Sequence, residues 1–470
     1  MDTIVEAIVD YATTLSYDAL PPPVIERAKH LIVDAFGCAL GAASSPPAAI
    51  ATAIAAGVQS NTPATVMVTG IRTSPDLAAF ANGSLVRYLD YNDTYTGRGT
   101  VHPSDMLAAA LAAAEAANGD GRAVILGTVL GYEVLCNLAD NGAMQRDGEA
   151  SVWDQATYGI VSAATVAAKL LGLSPEQMAH AISLAISSHL AMIQIRTGQI
   201  SHWKGCAVAN ASRNGVFCAQ LAALGMTGPS HIFDGSRGFF QATGCTFEML
   251  PFGGKGSEYR IMKARIKPYP AGYFSQSAIE AVLELRPQIP DMARIRKVHL
   301  ETFPSGLRIM GSDESRWRPE TRESADHSLP FVMAMALLEG DLTVRHYDEE
   351  RYRDADVRAL MKKISVAVGE ESVRAWPEVP LNVLHIELDD GQELVTRVAH
   401  HLGHYSRPMS PAQEDAKFRT MAEGSGGLSS SQASRLLQQL RNLEAVVNLN
   451  DLMQLTRPDT QERSDAVNPN

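Results

Sequence analysis

The sequence predicts a mainly helical protein with a smaller α+β domain, and the order of patterns along its 470 residues supports this fold class. Alanine-rich stretches with helical spacing dominate from residue 1 to about residue 265. After Pro268, short stretches alternate apolar and polar residues as strands do. Past Pro411 the helical pattern returns. We therefore expect a large helical unit and a smaller mixed unit.

The first part of the chain carries several helix signals. The stretches LAAALAAAEAANG (107–119) and SAATVAAKLLG (162–172) have the composition of buried helices. Ser174 is followed by Pro175 and, three residues after the serine, by Gln177, which is the pattern of a capping box. So much alanine lets helix axes approach closely, which predicts a compact core of many helices.

The later part of the chain alternates predicted strands and helices. An Asp390-Gly391 turn joins the last two strands as a hairpin. The predicted strands are VHLETF (298–303), ISVAV (364–368), VLHIEL (383–388) and ELVTRV (393–398), and the predicted helices are 327–340, 354–363 and the stretch SQASRLLQQLRNLEAV that begins at Ser431. The polar residues 459–470, which include Pro469 and directly follow Pro458, predict a flexible tail.

Composition excludes several classes of function. A net charge of −12 argues against a nucleic-acid-binding surface, so an anionic ligand would need locally clustered cations. The five cysteines are scattered and form no C-x-x-C pair, which predicts reduced thiols and neither a disulfide framework nor a metal site. The N-terminal stretch lacks the features of a signal peptide, and no apolar run suggests a membrane span. We expect a cytoplasmic protein that binds no membrane.

A polar stretch, RYLDYNDTYTGRGTVHPSD (87–105), separates two apolar helices. The first helix should end near Asp90, and Ser104 is a suitable cap for a helix that begins at Asp105. Loops held by rigid helices often carry catalytic residues. The spacing alone favours a purely structural interpretation, in which Asp90, Asp93 and Ser104 cap helices and His102 lies on the surface.

Two further stretches concentrate cations. IRTGQISHWKGCAVANASRNG (195–215) places Arg196, His202 and Lys204 ahead of an alanine-rich helix, whose N-terminal end attracts anions. RIKPYPAGYFSQ (265–276) contains Arg265, Lys267, Tyr269 and Tyr273 at the boundary between the two patterns, where pockets tend to form. Alone, each stretch is also explained as a solvated turn or a stiff linker.

Taken together, these stretches resemble the MmgE/PrpD family of 2-methylcitrate dehydratases, cis-aconitate decarboxylases and an iminodisuccinate epimerase. The resemblance rests on LDYNDTY…HPSD, RTGQISHWKGCAVANASRNGVF, KPYPAGYFSQ and ETRESADHSLPF, which follow one another in the family's order through nearly the whole chain. It implies a homodimer with a helical domain formed by residues 1–266 and the returning helices of 406–458. It also implies an α+β lid at 267–405 and an active site at their junction that uses no cofactor and no metal.

The resemblance also implies the site residues. Asp90, Thr94 and His102 fall on the family's acid, threonine and histidine motif, Lys204 on its tryptophan-lysine motif and Lys267 on the lysine before the proline-rich turn. We expect Asp90, His102 and Lys204 to be catalytic.

Substrate binding is expected from Thr94, Lys267, Arg196 and Tyr273. Lysine and arginine suit the binding of carboxylates, and a histidine with its ordinary pKa of about 6.5 suits proton delivery. We interpret His299, His346, His385 and His400 as structural.

Two positions depart from the family's pattern. Gln155 stands where the dehydratases tend to have histidine, and Gly272 where they tend to have glutamate and the decarboxylases histidine. Glutamine cannot transfer a proton near neutral pH, so the substrate or the reaction type is open at this point. Tyr158 and Tyr273 are candidate substitutes.

The leading hypothesis is a hydro-lyase acting on a hydroxy-tricarboxylate similar to 2-methylcitrate. An epimerase of an imino or amino dicarboxylate is the main alternative, mildly favoured by Gln155, and a decarboxylase is the third. A non-enzymatic helical scaffold is a fourth, because a fold does not fix a function. A glycosidase is disfavoured, because no spaced pair of carboxylates stands out.

Overall fold

A computed structural model describes residues 2–142 and 153–459. The predicted flexible tail, apart from Asp459, lies outside the described residues. The fold is mainly helical with a smaller α+β unit, as the sequence predicts.

Ten helices form the first part of the chain in the described ranges 2–142 and 153–266, and α9 lies at their centre. Small residues allow this packing: a Cβ atom added at Gly83 of α4 would lie 2.9 Å from the Ala209 Cα atom of α9, and one at Gly215 of α9 would lie 2.7 Å from the Ala163 Cβ atom of α7. The helices are α1 (Thr3–Thr14), α2 (Pro22–Gly41), α3 (Pro46–Ala56), α4 (Pro75–Tyr88), α5 (Leu107–Ala116), α6 (Gly121–Asp140), α7 (Ala156–Leu170), α8 (Pro175–Ser187), α9 (Trp203–Ala223) and α10 (Phe239–Thr243).

Between these helices, four short strands of the described residues form two antiparallel ladders. They are β1 (Ala64–Thr65), which pairs with β2 (Arg72–Thr73), and β3 (Tyr95–Thr96), which pairs with β4 (Thr100–Val101). The β3–β4 ladder holds the polar stretch between α4 and α5 in a defined shape, because Thr94 also exchanges two backbone hydrogen bonds with Arg265.

The smaller part contains a four-stranded sheet in the order β6, β5, β7, β8, with β5 and β6 parallel and the other neighbours antiparallel. Its strands are β5 (Ile295–Thr302), β6 (Ile364–Val368), β7 (Asn382–Leu388) and β8 (Glu393–Val398). Its helices are α11 (Gln276–Leu285), α12 (Pro304–Met310), α13 (Glu314–Trp317), α14 (Arg322–Ala325), α15 (Leu329–Glu339), α16 (Val344–Asp348), α17 (Ala355–Met361) and α18 (Glu370–Ala375).

Three helices follow the sheet and return to the first part: α19 (Pro411–Glu423), α20 (Ser430–Arg441) and α21 (Leu449–Gln454). The buried Phe418 of α19 packs against α2, where a Cβ atom on Gly37 would lie 3.3 Å from the Phe418 Cα atom. Short 3-10 turns complete the described backbone at Tyr17–Ala19, Pro103–Met106, Ile193–Arg196, Arg260–Lys263, Tyr273–Ser275, Arg286–Gln288, Met292–Arg294, Arg351–Arg353 and Leu443–Ala445.

Most predicted elements are confirmed. All four predicted strands form, with β5 beginning three residues before the predicted start, and the capping box at Ser174 is present. Gly391 takes the positive φ of 83° that the hairpin turn requires. All five cysteines are free and buried. The prediction that Ser104 caps a helix at Asp105 is wrong, since a 3-10 turn occupies Pro103–Met106 and α5 starts at Leu107.

Buried apolar residues form two large clusters. One draws on residues between Ile4 and Ile266, on Val344, and on residues between Phe418 and Met453. The other draws on residues between Ala271 and Val398. We propose on this basis that the predicted division, 1–266 with 406–458 against 267–405, describes the two domains.

Among the residues that the structure describes, one helix, α6, is long and apolar enough to span a membrane by length and composition alone. However, 83% of its apolar window is buried inside the fold, as in the core helix of a folded domain. The bent pair of α2 and α3 passes the same test only if both helices are counted together.

The return of the C-terminal segment can be tested at Gly121, the first residue of α6. A Cβ atom there would lie 1.7 Å from the Leu443 carbonyl oxygen, and neither backbone can yield easily. We expect Gly121→Ala to lower the free energy of unfolding by about 2 kcal/mol or more in urea titrations. The matched control is Gly57→Ala, where φ is −81° and the nearest atom would lie 3.5 Å away. Equal stability of the two variants would contradict the packing described.

Candidate active site

A cavity of about 960 Å³ lies between the helical part and the smaller part. This volume is at the upper end of the range for small-molecule sites. Both parts contribute to its wall. The lining includes Asp90, His102, Asp154, Gln155, Tyr158 and Arg196 from the helical part, and Gly272, Tyr273, Arg308, Met310, His327 and Trp376 from the smaller part.

Asp90 is the centre of the buried charges beside this cavity. It follows the C-terminal end of α4 with a positive φ of 51°, which turns the chain sharply into the polar stretch. The Lys267 Nζ atom donates to the Asp90 carbonyl oxygen at 2.8 Å and to Oδ1 at 2.5 Å. Arg87 Nη1 lies 2.9 Å from the same Oδ1 atom. Lys204 Nζ lies 2.9 Å from Oδ2.

A second carboxylate, Asp326, shares Lys204 with Asp90. Lys204 Nζ donates to both Asp326 carboxylate oxygens at 2.8 Å. The Nδ1 atom of the neighbouring His327 lies 2.6 Å from Asp326 Oδ1 and 3.4 Å from Asp90 Oδ2. Arg322, in the short helix α14, donates to Asp326 Oδ2 at 3.3 Å. The helical part and the smaller part are thus joined by buried ion pairs.

His102 is held by its Nδ1 atom. This atom lies 2.7 Å from the Asp93 carbonyl oxygen and 3.2 Å from Thr94 Oγ1. A carbonyl oxygen only accepts hydrogen bonds, so Nδ1 carries the proton and Nε2 keeps its lone pair. The His102 backbone N–H donates to Gln155 Oε1 at 3.0 Å. Since His102 also lines the cavity, its unprotonated nitrogen is available to a ligand.

The charges around the site shift several pKa values. Burial alone would raise the pKa of Asp90, but Arg87, Lys204 and Lys267 hold it well below its usual range. Burial, together with the charges of Arg87 and Lys267, lowers the pKa of His102 well below 6.5. His102 is therefore neutral near pH 7 in the free protein, which differs from the ordinary value assumed from the sequence.

Three further groups are shifted by the same environment. Burial and the charge of Lys204 lower the pKa of His327 to about 4. Burial lowers the pKa of Lys267 to about 8, against the attraction of Asp90. Burial raises the pKa of Asp105 to about 7, although Arg87 opposes this. Near pH 7 both imidazoles are neutral and Lys267 is mostly charged.

The cluster of Asp90, Asp326 and His327 has the spacing of a metal site, because one ligand atom of each residue lies within 4.8 Å of the others. Its surroundings do not suit a metal ion. The Lys204 ammonium already contacts both carboxylates at 2.8 to 2.9 Å, the position that a bound cation would take. The charges of Lys267 and Arg87 would repel a further cation.

Of the predicted site residues, three do not face the cavity. Lys204, Lys267 and Thr94 are fully buried, and they contact Asp90, Asp326 or His102 instead. Thr94 and Lys267 stand outside the cavity lining, directly behind His102 and Asp90, and their expected role in substrate binding stays a prediction. Asp90 and His102 both line the cavity.

Arg196 and Tyr273 line the cavity as expected, but each already has a partner. The Arg196 guanidinium is paired with the Asp154 carboxylate, its Nε atom donating to Oδ2. Arg265 stacks on the Tyr273 ring, with its Cζ atom 5.6 Å from the ring centroid. The predicted cationic group of 195–215 is also dispersed, because the His202 side chain is 53% exposed while Lys204 is buried.

Contrary to the prediction, Ser104 does not cap a helix but forms hydrogen bonds with Asn92 and Asp93. Its hydroxyl accepts from Asn92 Nδ2 at 2.9 Å, and its backbone N–H donates to Asp93 Oδ1 at 3.1 Å. Asp93 Oδ2 accepts in turn from the Tyr132 hydroxyl at 2.7 Å. This network fixes Asp93, whose carbonyl oxygen orients His102.

The histidines that we interpreted as structural contact other partners. His299 Nδ1 lies 2.9 Å from Ser365 Oγ on the neighbouring strand, and His385 Nδ1 lies 3.1 Å from Glu393 Oε1. His346 accepts a backbone hydrogen bond from Thr343 at the start of α16, and His400 stacks on His404. None of the four is in the cavity lining described here.

Sequence reasoning missed Arg87, Arg308, Asp326 and His327. The adjacent Asp326-His327 pair was present in the stretch ETRESADHSLPF, and adjacent acid and imidazole groups were the available signal. Arg87 gave no such signal, because it stands among the apolar residues of α4 and only the fold places it beside Asp90.

Comparisons with known proteins agree with this architecture. A model of the MmgE/PrpD N-terminal domain matches residues 6–249, and a model of the MmgE/PrpD C-terminal domain matches residues 269–443. The chain belongs to the MmgE/PrpD family.

Its relatives include 2-methylcitrate dehydratases and cis-aconitate decarboxylases. The chain is 30% identical to a 2-methylcitrate dehydratase of Salmonella typhimurium over 380 residues, 76% of each chain. It is 27% identical to a 2-methylcitrate dehydratase of Cupriavidus necator, with 86% of this chain and 87% of the relative covered. It is 26% identical to the human cis-aconitate decarboxylase, with 100% of this chain and 98% of the relative covered.

The buried state of His327 predicts a pH effect on stability. Its pKa of about 4 lies below the ordinary 6.5, so the unfolded chain takes up a proton between these values and the folded protein does not. From pH 7 to pH 4.5, we expect wild type to lose about 2 kcal/mol of unfolding free energy relative to His327→Gln. Urea titrations at both pH values measure this difference.

His202→Gln, at a half-exposed imidazole, controls for the general effect of removing a histidine. A pH-independent difference between wild type and His327→Gln would show that the His327 pKa is not depressed.

Proposed function

We propose that this protein is a cofactor-independent hydro-lyase that dehydrates a hydroxy-tricarboxylate of the 2-methylcitrate type. The observation that carries the proposal is the neutral, oriented imidazole of His102 at the wall of a cavity backed by buried cations. The names of the relatives support a lyase acting on a small carboxylic acid. We also propose, from the family resemblance, a cytoplasmic homodimer.

His102 is the proposed base. Its Nδ1–H group donates to the Asp93 carbonyl oxygen, so Nε2 can take a proton from the carbon next to a substrate carboxylate. The depressed pKa keeps this nitrogen unprotonated near neutral pH. Gln155 then has a positioning role, because its Oε1 atom accepts the His102 backbone N–H and it transfers no proton.

The buried charges are proposed to stabilise the developing anion. Four cations, Arg87, Lys204, Lys267 and Arg322, stand against the ionised carboxylates of Asp90 and Asp326 and the partly ionised Asp105. Removing a proton next to a carboxylate spreads negative charge into that carboxylate, and a net positive environment of low polarity stabilises it. In this proposal Asp90 organises the lysines and is not itself the base, since its low pKa makes it a poor proton acceptor.

His102 passes the proton that it removes from carbon to the leaving hydroxyl group. As the C–H electron pair forms the double bond, the C–O bond breaks and the hydroxyl group leaves. The imidazolium formed on His102 gives its proton to that hydroxyl, so water leaves and the histidine returns to its starting form.

His327 suits a second contact with the substrate. It lines the cavity, and Asp326 holds its Nδ1 atom at 2.6 Å, which leaves Nε2 as an acceptor for the substrate hydroxyl.

An epimerase is the second candidate, because two imidazoles line one cavity and an epimerase uses one group to remove a proton and another to return it. The pKa of His327, about 4, counts against this candidate, since the returning group must be protonated. Decarboxylation, suggested by the names of some relatives, is the third candidate and would appear as carbon dioxide release.

Incubation with 2-methylcitrate, citrate and isocitrate in deuterated water, followed by NMR, distinguishes these reactions. We expect new alkene signals and release of water, because the proposed chemistry creates a carbon–carbon double bond. Deuterium in recovered substrate without an alkene product would select the epimerase when imino or amino dicarboxylates are included in the panel. No change in any of these acids would refute the hydro-lyase.

Site variants test the assignment of the base. We expect His102→Gln to lower kcat by about 10²- to 10⁴-fold, the usual contribution of general acid-base catalysis. His299→Gln is the matched control, because this histidine lies on β5 and contacts Ser365. Activity of His102→Gln within threefold of wild type would remove His102 from the mechanism.

A further inference from the structure

Helix α12 brings a free cation to the cavity. Arg308 is exposed and lines the cavity, and within residues 2–142 and 153–459 its guanidinium has no hydrogen bond or ion pair. Arg196, by contrast, is neutralised by Asp154. The buried Arg316 donates to backbone carbonyl oxygens, including those of Ile309 and Gly198. Arg308 is therefore a cavity arginine whose charge is available to bind a carboxylate of a ligand.

The same helix brings an apolar surface. Ile309 and Met310 follow Arg308 and also line the cavity. Gly272 lies against Met310, where an added Cβ atom would lie 2.9 Å from Cε and 3.0 Å from Sδ of the methionine. The thioether thus occupies the space in which a side chain at position 272 would begin. This part of the wall supplies neither a charge nor a proton-transfer group.

Two aromatic residues extend the apolar wall. Phe274 and Trp376 both line the cavity, and their rings pack edge to face with centroids 5.7 Å apart. A carboxylate placed against such a wall would lose its hydration without gaining a hydrogen bond, which is unfavourable. An alkyl group in the same place would gain from burial.

We infer that α12 is the specificity element of the site and selects an acid that carries an alkyl substituent. Arg308 binds one carboxylate of this acid, while Met310 and Ile309 contact the alkyl group together with Phe274. The inference rests on the proposed function, because it names which acids of that class the cavity takes.

Binding is measured separately from turnover by isothermal titration calorimetry with two acids that lack a hydroxyl leaving group. Tricarballylate and its methyl-substituted analogue serve as the probes. We expect wild type to bind the methylated acid at least tenfold more tightly, since one methyl group in an apolar pocket gives roughly 10- to 200-fold discrimination.

Variants of α12 separate the two contacts. Met310→Gln keeps the side-chain length but adds an amide, and we expect it to reduce the preference below threefold. If thermal melting shows that Met310→Gln does not fold, Ile309→Ala replaces it. Ile309 is partly exposed, and its truncation should also reduce the preference for the methylated acid.

Arg308→Gln should weaken both acids about equally, by roughly tenfold or more, the effect of losing one charged hydrogen bond. The matched control is Arg374→Gln, whose arginine is 73% exposed on α18 and outside the cavity lining. It should change neither affinity.

The outcomes distinguish this inference from the proposed function. Equal binding of both acids by wild type, or binding of neither, overturns the inference, while turnover of hydroxy acids still decides the proposed function. A methyl preference without turnover of any hydroxy acid supports the inference and overturns the hydro-lyase. Loss of affinity for only the methylated acid in Arg308→Gln would contradict the role of Arg308.

Discussion

The site depends on one buried carboxylate, Asp90, and on the three cations that surround it. Lys204 comes from the start of α9, Lys267 from the junction with the smaller part, and Arg87 from the end of α4. Burying any one of these charges alone would be strongly unfavourable, so each requires the others. Asp90 therefore fixes the relative positions of three segments that are distant in sequence, and it does so at the wall of the cavity.

The same charges determine what the imidazoles can do. His102 and His327 are both buried and lie near lysines or an arginine, and burial and these charges both favour the neutral ring. The hydrogen bonds at Nδ1 then determine which nitrogen keeps the lone pair. The ion cluster thus keeps the Nε2 atoms of His102 and His327 unprotonated, so that both can accept a proton or a hydrogen bond from a ligand. The positive charges that attract an anionic ligand also lower the pKa of the two imidazoles. The affinity of the site for an anion and the basicity of its histidines are therefore linked.

Much of the architecture could be predicted because it is local. Helical and strand periodicity, the capping box at Ser174 and the Asp390-Gly391 turn each depend on a few neighbouring residues. The site was predicted only in part. The family's motifs pointed to Asp90, His102 and Lys204, but the burial of Lys204 and the pairing of Arg196 with Asp154 depend on contacts between distant segments. No local pattern reports which of two cations faces a cavity and which supports the wall behind it.

The shared lysine has a mechanical consequence. Lys204 belongs to the helical part and Asp326 to the smaller part, and their ion pair is fully enclosed. A hinge motion that separated the two parts at this point would leave Lys204, Asp90 and Asp326 without full compensation, at a cost of several kcal/mol. Entry of a ligand by a large hinge opening between the two parts is therefore disfavoured. A ligand should instead enter the cavity through small local movements at its rim, while the ion cluster stays intact.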